Sequence, residues 1–477
     1  MILGVLVGLT VLHLSVAGTV PSGGDPGNWL AMAHQRLGFD VLTEGVTYPP
    51  VFPLLLSVLV AGTDHIPAVV VASLVARSAA VLSVYLILRS TSRVAALLAA
   101  GVSGIAAFQL EAYAWGAYPQ ILGAGLALIA THFLLRFIKH LQRRDVLVGL
   151  IASAGVVLTH TLVAALFVVV LPLACIHASW VSEDVRRHWR QALYVIVPTL
   201  TFFGIYFVTN AVGDGRALLN PTSLSLVEGI RLSVGESPIS WLLITLVAAT
   251  ALLYRQWDDD AFLAVSLGFA WSLAGSGLFL VTAERRCLLQ AQVGVLILAT
   301  TAVVRLLRRL RRRQAASAFV WVVTVAVLGS VAIPGVAAYA TATAFYRIVE
   351  PSEILALEAM EAASNVGDIV LASRGRNTIP IGWWSEGAAR LPTLSGHDTR
   401  YLSFPAEIEE AEAASRFFQG GMDPEDSLEY LDELDVRFVL VDKRGPDSDW
   451  ITSNNVARYR VIYDSPTLLV LGVPETG

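Results

Sequence analysis

A short turn near the amino terminus carries one carboxylate among residues that fix the backbone. Residues 23–29 read GGDPGNW and directly follow the first apolar run. Glycine and proline favour tight turns, so we expect Asp25 to hold a defined position at the membrane boundary. A carboxylate there can act as general base toward an acceptor hydroxyl, or as a ligand of a divalent cation. The alternative is that Asp25 only caps a helix over Asn28–Arg36, since aspartate is a favoured N-cap residue.

A second segment combines an acid with three aromatic side chains. Residues 111–119 read EAYAWGAYP, and the sequence predicts a short external turn. Aromatic side chains at this depth are common anchors at the membrane interface. The functional alternative is a platform for a sugar or a lipid head group beside a second carboxylate. Asp25 and Glu111 together could then hold a divalent cation, Mg²⁺ or Mn²⁺. The aromatic residues of this segment are Tyr113, Trp115 and Tyr118.

Arginines in unusual places form a third group of candidates. Residues 284–286 read ERR and are expected on the external face, against the usual distribution of positive charge. The arginine side chain matches the geometry of phosphate, so Arg285 and Arg286 could bind the phosphate of a lipid head group. The alternative is a structural pair with Glu284. Arg77 lies within an apolar run and is expected to need a buried acid or an aqueous cavity.

Two further features carry both a structural and a functional interpretation. His160 stands where two apolar runs meet, and a lone histidine there is more often structural than catalytic. Residues 381–387 read IGWWSEG, which predicts a loop. Trp383 and Trp384 could enter the core of a soluble domain, or lie over an external cavity and stack on a sugar. The sequence has no P-loop, dinucleotide fingerprint or HExxH motif, so ATP-driven, nicotinamide-dependent and zinc-protease activities lack support.

The composition shows what must position these residues. The chain is 55% hydrophobic and 15% charged, whereas soluble domains are about 25% charged. Its mean hydropathy is +0.64. Repeated apolar runs of roughly 17–25 residues have the length that crosses a ~30 Å hydrocarbon core. A soluble enzyme, a disordered chain and a nucleic-acid-binding module are therefore excluded, and a polytopic α-helical membrane protein is predicted.

The basic residues predict the topology. Positively charged clusters usually face the cytoplasm, and five arginine-containing clusters separate the apolar runs of this chain. Placing all five in the cytoplasm gives about 11 transmembrane helices, with the N-terminus inside the cell and the C-terminus outside. The predicted spans are 2–20, 66–88, 94–110, 119–137, 146–159, 162–178, 191–211, 241–254, 261–281, 288–304 and 315–340.

The same topology gathers the candidate residues on one face. Residues 21–47 form the first external loop. The sequence YPPVFP at 48–53 disfavours a spanning helix, because three prolines occur in six residues, so 49–61 is predicted as a juxtamembrane helix. Chemistry is therefore expected on the extracytoplasmic face. The candidate residues on this face are Asp25, Glu44, Glu111, Tyr113, Trp115, Tyr118, His160, Arg285 and Arg286.

The final 137 residues have a different character. Residues 1–340 carry a net charge of +7 and residues 341–477 a net charge of −12. The tail alternates helical and strand-like patterns, which predicts a small extracytoplasmic α/β domain. The predicted helices are 352–364, 408–418 and 424–434, and the predicted strands are 368–372, 437–441 and a closing hairpin of 459–463 with 467–471.

These features together resemble the type C (GT-C) membrane glycosyltransferases. The resemblance consists of an acidic turn after the first helix, Tyr48-Pro49-Pro50 opening a juxtamembrane helix, and a following span that carries an arginine. That superfamily includes protein O-mannosyltransferases, aminoarabinose transferases of lipid A and oligosaccharyltransferases. Topology extends the resemblance over most of residues 1–340. Residues 383–387 (WWSEG) are similar to the WWDYG signature of oligosaccharyltransferases only at both tryptophans and the glycine, so sequon recognition is not carried over.

The resemblance implies an inverting transfer of a sugar from a polyprenyl-phosphate donor to a lipid, glycan or protein acceptor. Asp25 would correspond to the first-loop acid that serves as general base, and Arg285 or Arg286 would hold the departing phosphate. The family usually has two acids in that loop, whereas this chain has one. Glu44 and Glu111 are the candidate second carboxylates, and dependence on a metal stays open. The residues expected to contact substrate are Glu44, Tyr48, Tyr113, Trp115, Tyr118, His160, Arg285, Arg286, Trp383 and Trp384.

Two other classes of protein compete with the enzyme. A glycan-lipid flippase or transporter usually places charged or broken helices at the bilayer midplane, and Arg77 favours this class. A non-catalytic membrane subunit of a glycan-assembly complex would use the acidic tail to bind a partner. Proximity of Asp25 to Arg285 or Arg286 would favour the enzyme, and wide separation would favour the subunit.

Overall fold

The chain forms two compact units. The computed structural model describes residues 1–39, 48–207, 238–252, 261–282, 285–310, 314–379, 381–396, 405–419, 422–453 and 456–474. The first unit, called the membrane unit here, comprises 1–13, 74–113 and 118–340. The second, the tail unit, comprises 14–73, 114–117 and 341–477. A boundary between the units therefore falls at residues 340 and 341, but the tail unit also includes most of the first loop and the juxtamembrane helix.

Helices dominate the described residues before the tail. Those of the described residues, numbered in chain order, are α1 Ile2–Ala17, α2 Asp25–Arg36, α3 Val51–Val60, α4 His65–Leu88, α5 Arg93–Ile105, α6 Ala107–Trp115, α7 Tyr118–His140, α8 Arg143–Val157, α9 Thr161–Val181, α10 Glu183–Arg187, α11 Trp189–Phe207, α12 Pro238–Leu252, α13 Ala261–Thr282, α14 Arg285–Leu310 and α15 Gln314–Tyr346.

The described helices identify a multi-pass membrane protein. Six of them, α4, α7, α9, α13, α14 and α15, are long and apolar enough to cross a membrane. Four shorter apolar helices, α1, α3, α5 and α12, have 10–17 residues in their apolar part. The predicted juxtamembrane helix at 49–61 corresponds to α3. The total of about 11 spans stays a prediction.

The arginines that predict topology also make structural contacts within the membrane unit. Arg136 of α7 lies 3.5 Å from the buried carboxylate of Asp145 on α8. Arg308 near the end of α14 donates to the carbonyl oxygen of Thr91, just before α5, at 2.5 Å. Both contacts join neighbouring helices near their arginine-bearing ends, and therefore hold these ends in register.

The tail contains the predicted small α/β fold. Its described elements are α16 Pro351–Ala363, β1 Ile369–Ala372, α17 Gly382–Trp384, β2 Thr393–Ser395, α18 Pro405–Gln419, α19 Pro424–Glu433, β3 Val436–Asp442, α20 Trp450–Ser453, β4 Arg460–Asp464 and β5 Leu468–Gly472.

The strands form one mixed sheet with the order β2-β1-β3-β5-β4. β1 is parallel to β2 and β3, while β5 is antiparallel to β3 and β4. The predicted closing hairpin is therefore confirmed, with Val461 opposite Leu471. Apolar side chains of the sheet, such as Val439, pack with Phe417 and Leu431 of α18 and α19 in a buried core.

Two local predictions are wrong, and one strand was missed. Residues 111–115, predicted as part of an external turn, belong to the helix α6, because alanine-rich sequence favours helix, and Gly116 ends it with φ +96. Trp383 and Trp384 lie in α17 and not in a loop, and a π-helical turn over Ser385–Ala389 continues it. β2 was not predicted, since three residues give too little pattern to identify a strand.

Candidate functional site

The turn that carries Asp25 is held by the segment 114–117 of the same unit. The hydroxyl of Ser22 donates to the carbonyl oxygen of Ala114 at 2.7 Å. The indole Nε1 of Trp29 donates to the carbonyl oxygen of Gly116 at 2.8 Å. A Cβ on Gly116 would lie 2.9 Å from the Cβ of Asp25, so only glycine fits here without displacement. The two segments that the sequence singles out first, 23–29 and 111–119, therefore contact each other beside Asp25.

The same turn is held from its other side by the tail. The backbone N–H of Gly23 donates to the carbonyl oxygen of Tyr346 at 2.9 Å. The indole Nε1 of Trp384 donates to the carbonyl oxygen of Gly23 at 2.8 Å. A Cβ on Gly27 would lie 2.5 Å from the carbonyl oxygen of Trp383. Residues 22–29, which we call the Asp25 turn, thus have contacts with two chain-distant segments.

Asp25 is the first residue of α2 and is half-buried. Gly24 occupies the N-cap position, so α2 begins three residues before the predicted helix and Asp25 does not cap it. Negative charge is favourable at a helix N-terminus, because the free backbone N–H groups there carry partial positive charge. A carboxylate on a turn fixed from both sides has the defined position that general-base catalysis requires.

The predicted tryptophan pair divides into two environments. Trp384 is fully buried within the tail unit, as one of the two placements considered from the sequence requires, and its indole N–H donates to the Asp25 turn. Trp383 is half-buried, as is Trp115, whose ring lies 6.3 Å from that of Tyr346. The backbones of these two half-buried tryptophans flank the Asp25 turn.

Tyr48 packs against the indole of Trp29 on α2. Its ring centroid lies 4.6 Å from that of Trp29, and Phe52 of α3 lies 6.1 Å from Trp29. Trp29 is 6% exposed, so this aromatic group fixes α2 against α3. The structure therefore gives Tyr48 a packing role in the tail unit.

A histidine pair lies at the other end of α2, with His34 buried and His65 half-buried. The Nε2 of His34 is 3.2 Å from the Nδ1 of His65, and His34 is 1% exposed. Burial, followed by the charges of His65 and Arg390, lowers the pKa of His34 to about 4. Arg390 in turn binds Glu361. No local sequence pattern predicts this pair, because its two histidines lie on separate elements.

Arg77 has partners that the sequence did not predict, although its buried Nε makes no hydrogen bond within the described part of the chain. It is 2% exposed, and its guanidinium donates to the carbonyl oxygens of Leu9 at 3.2 Å and Gly104 at 2.6 Å. The same group lies 5.3 Å from the ring centroid of Tyr113. Two carbonyls and an aromatic face replace the buried acid or aqueous cavity that we expected.

Tyr113 and Tyr118 belong to the same buried cluster of the membrane unit. Each is 1% exposed, and their ring centroids are 5.1 Å apart. His13 packs edge-on against Tyr113 at 4.7 Å, and its Nδ1 lies 2.6 Å from the hydroxyl oxygen of Tyr339. This degree of burial favours packing over the exposed aromatic platform proposed from the sequence.

His160 and Arg286 lie in the membrane unit. His160 is the N-cap of α9, where its Nδ1 accepts from the backbone N–H of Val163 at 3.5 Å. Burial first, and the charge of Arg286 second, lower the pKa of His160. The capping bond supports the structural interpretation of His160, while its interaction with Arg286 places it beside a predicted phosphate ligand. Arg285 begins α14.

The pairing of Asp25 with Glu111 stays a prediction. Glu111 lies on α6 of the membrane unit, whereas Asp25 belongs to the tail unit. Glu44 and Glu284 lie outside the described residues. Among the side chains that the structure describes, no three histidine, cysteine, aspartate or glutamate residues gather as metal ligands. Dependence on Mg²⁺ or Mn²⁺ stays a prediction.

Comparison with solved structures supports the resemblance at the level of the fold. ArnT from Cupriavidus metallidurans bound to undecaprenyl phosphate aligns with a TM-score of 0.60 and 14% identity, covering 100% of this chain and 98% of ArnT. The Archaeoglobus fulgidus oligosaccharyltransferase in complex with Zn and sulfate aligns with a TM-score of 0.57 and 14% identity, and the alignment covers 94% of this chain and 69% of the oligosaccharyltransferase. The arabinofuranosyltransferase AftD from Mycobacteria aligns with a TM-score of 0.61 and 14% identity, and the alignment covers 100% of this chain and 40% of AftD.

All three of these proteins are type C glycosyltransferases, and the chain described here has their fold. No protein-family model matches the sequence, and no curated protein sequence matches it either.

Proposed function

We propose that the protein is a membrane glycosyltransferase that transfers a sugar from a polyprenyl-phosphate donor to an acceptor hydroxyl or amide on the extracytoplasmic face. The observation that carries this proposal is the position of Asp25. It is the first residue of a helix, on a turn that hydrogen bonds and close backbone contacts hold from two sides. The shared fold with ArnT, which binds undecaprenyl phosphate, supports a lipid-linked donor.

The transfer follows from the chemistry of these groups. The acceptor oxygen or nitrogen attacks the anomeric carbon from the face opposite the phosphate, and its proton passes to the carboxylate of Asp25. The bond between the anomeric carbon and the phosphate oxygen breaks, so the configuration inverts. Polyprenyl phosphate leaves with the electron pair. Arg285 or Arg286 would stabilise the charge that develops on this phosphate.

The aromatic residues beside the turn suit a sugar. Trp115 and Trp383 are half-buried and flank the Asp25 turn. Indole rings combine an apolar face with a polar N–H, and a pyranose or furanose ring has one face of C–H groups that packs on such a surface. The proposal therefore assigns sugar contact to Trp115 and Trp383, while Trp384 positions the turn.

The contacts of Arg77 weaken its support for a transporter. That alternative depended on an arginine in need of a buried acid or an aqueous cavity, and two backbone carbonyls and Tyr113 already surround its guanidinium. The alternative that the experiment must distinguish from an enzyme is a non-catalytic membrane subunit of a glycan-assembly complex.

Mass spectrometry of the host's surface glycans and glycolipids tests the proposal. A deletion strain is compared with strains that express wild type, Asp25→Asn or the control Asp64→Asn at equal levels. Asp64 is exposed and belongs to the same unit. We expect the deletion to remove one sugar, wild type and Asp64→Asn to restore it, and Asp25→Asn to fail. The missing mass then identifies the sugar.

Two results would overturn parts of the proposal. Full restoration by Asp25→Asn would show that the carboxylate is structural. Accumulation of intact lipid-linked donor in the deletion strain, without loss of any transfer step, would favour a transporter. Equal thermal stability of purified wild type and Asp25→Asn is required, so that a failed restoration reports on chemistry and not on folding.

A further inference from the structure

An apolar cavity of about 390 Å³ lies within the membrane unit. Side chains of α5, α12, α14 and α15 line it, among them Leu98, Ile244, Leu296 and Val323. Three threonines also contribute, but each hydroxyl donates to a carbonyl of its own helix. The wall therefore offers a ligand almost no unused hydrogen-bonding group. Apolar cavities of this kind stay dry and accept hydrocarbon.

The cavity occupies one particular end of these helices. Its lining comes from Ala95–Ala99 at the start of α5, from Leu296–Leu306 in the second half of α14, and from Phe319–Leu328 in the first half of α15. Arg308 of α14 donates to the carbonyl oxygen of Thr91, immediately before α5. The lining helices thus meet where the chain is rich in arginine.

Positive charge surrounds this end. Arg93 begins α5, and Arg305, Arg308 and Arg309 lie in the last two turns of α14. Arg93, Arg308 and Arg309 are exposed. Arginine binds phosphate well, and basic clusters beside membrane helices attract anionic lipids. A dry apolar cavity whose lining reaches residues next to such a cluster has the two parts that an anionic phospholipid needs.

We propose that this cavity binds one acyl chain of an anionic glycerophospholipid, with the phosphate of its head group on the neighbouring arginines. The lipid would lie in the cytoplasmic leaflet, because basic clusters face the cytoplasm. This site is separate from the donor. Arg286, the predicted ligand of the donor phosphate, begins the same helix, and Leu306 lies about 30 Å further along it at a rise of about 1.5 Å per residue.

Trp321 provides a local probe, because it lines the cavity. Purified full-length protein is reconstituted in nanodiscs that contain phosphatidylglycerol or phosphatidylcholine with brominated acyl chains, which quench nearby indoles. The chain has 11 tryptophans, so the difference between wild type and Trp321→Phe isolates the signal of Trp321. We expect half-maximal quenching of Trp321 at a mole fraction of phosphatidylglycerol at least tenfold below that of phosphatidylcholine.

Matched variants separate the two parts of the site. Leu98→Phe with Val323→Phe adds volume at two partly exposed lining positions and should abolish saturable quenching. Arg93→Gln with Arg309→Gln should remove the preference for phosphatidylglycerol and leave quenching by both lipids equal. Arg186→Gln with Arg187→Gln removes the same charge at exposed positions on α10 and should change nothing.

Native mass spectrometry of the protein purified from membranes identifies what it carries. We expect one bound anionic phospholipid in wild type and in the control with Arg186→Gln and Arg187→Gln. The variant with Leu98→Phe and Val323→Phe should have lost this lipid. Three results would each overturn the proposal. They are equal quenching by both lipids in wild type, unchanged lipid binding in the variant with Leu98→Phe and Val323→Phe, and polyprenyl phosphate as the bound species. Loss of glycan transfer in the Asp25→Asn variant bears only on the proposed function, since that variant leaves the lipid site intact.

Discussion

The indole Nε1 of Trp384 donates a hydrogen bond of 2.8 Å to the carbonyl oxygen of Gly23, a residue 361 positions away in the sequence. Trp384 is fully buried, so this bond is shielded from water. It links the helix that follows β1 to the turn that carries Asp25. The position of the proposed base therefore depends on a residue of the tail.

Trp384→Phe tests this dependence. Phenylalanine keeps most of the packing but leaves the buried carbonyl oxygen of Gly23 without its donor, which typically costs about 1–3 kcal/mol. We expect a lower Tm in detergent and a transfer rate reduced at least tenfold. Trp180→Phe is the control, because Trp180 is 80% exposed and lies in the membrane unit. Equal Tm and transfer rate for wild type and Trp384→Phe would contradict the assigned role.

Gly116→Ala tests the contact between the two segments that the sequence singled out. A Cβ there would lie 2.5 Å from Pro26 Cδ and 2.9 Å from Asp25 Cβ, and the backbone has φ +96. Strain at such a position typically costs about 1–3 kcal/mol, and displacement of Asp25 should lower kcat more than it raises KM. Transfer kinetics with purified protein measure this division.

Gly329→Ala is the matched control for that variant. Gly329 lies in α15, and a Cβ there meets nothing within 4 Å, so alanine should be neutral or slightly stabilising. If Gly116→Ala retains the wild-type kcat while its Tm falls, the contact is structural only.

The sequence predicted the elements of the tail better than the site they build. Strand β3 contains the apolar run FVLV, and its pattern identifies a strand without any long-range information. The hydrogen bond between Trp384 and Gly23 has no local pattern, because it joins elements that meet only after folding. Asp25 was proposed from its turn residues, whereas the supporting role of Ser22 and Trp29 was not predicted, and Trp384 was proposed as a substrate contact and not as a support of the turn.

The same distinction explains the errors at α6 and Arg77. A glycine and a proline at 116 and 119 indicate a turn, and they mark the end of α6 correctly. The preceding residues read equally well as turn or helix, and packing decides between them. For Arg77 the sequence shows an arginine among apolar residues, but backbone carbonyls leave no trace in a sequence, so only an acid or water was expected as its partner.

Arg77→Lys is expected to destabilise the membrane unit although it keeps the charge. The guanidinium bonds the carbonyl oxygens of Leu9 and Gly104 and also faces Tyr113. An ammonium group is compact and lacks the planar fork that spans separate acceptors. Loss of one such bond in a buried site costs about 1–3 kcal/mol.

Thermal unfolding in detergent measures this effect, with Arg93→Lys as control because Arg93 is exposed. We expect a clear fall in Tm for Arg77→Lys and none for Arg93→Lys. An unchanged Tm for Arg77→Lys would mean that these bonds contribute little to the stability of the helices they join.

The histidine pair at the end of α2 predicts how stability depends on pH. The pKa of His34 is lowered to about 4 in the folded protein, first by burial and then by His65 and Arg390, while an unfolded histidine has a pKa of about 6.5. Between these values the unfolded chain binds more protons than the folded one. The free energy of unfolding therefore falls as pH decreases from about 6.5 to about 4, by roughly 3 kcal/mol for this group.

Comparison of wild type with His34→Gln isolates that contribution from all other titrating groups. Glutamine is neutral over the whole range, so the variant should lose less stability than wild type between pH 7 and pH 4, even if it starts from a lower Tm at pH 7. Tm measured in steps of pH gives both slopes. Because His34 is 1% exposed, solvent screening should reduce this difference little, and parallel slopes for the two proteins would show that His34 becomes protonated without opposing the fold.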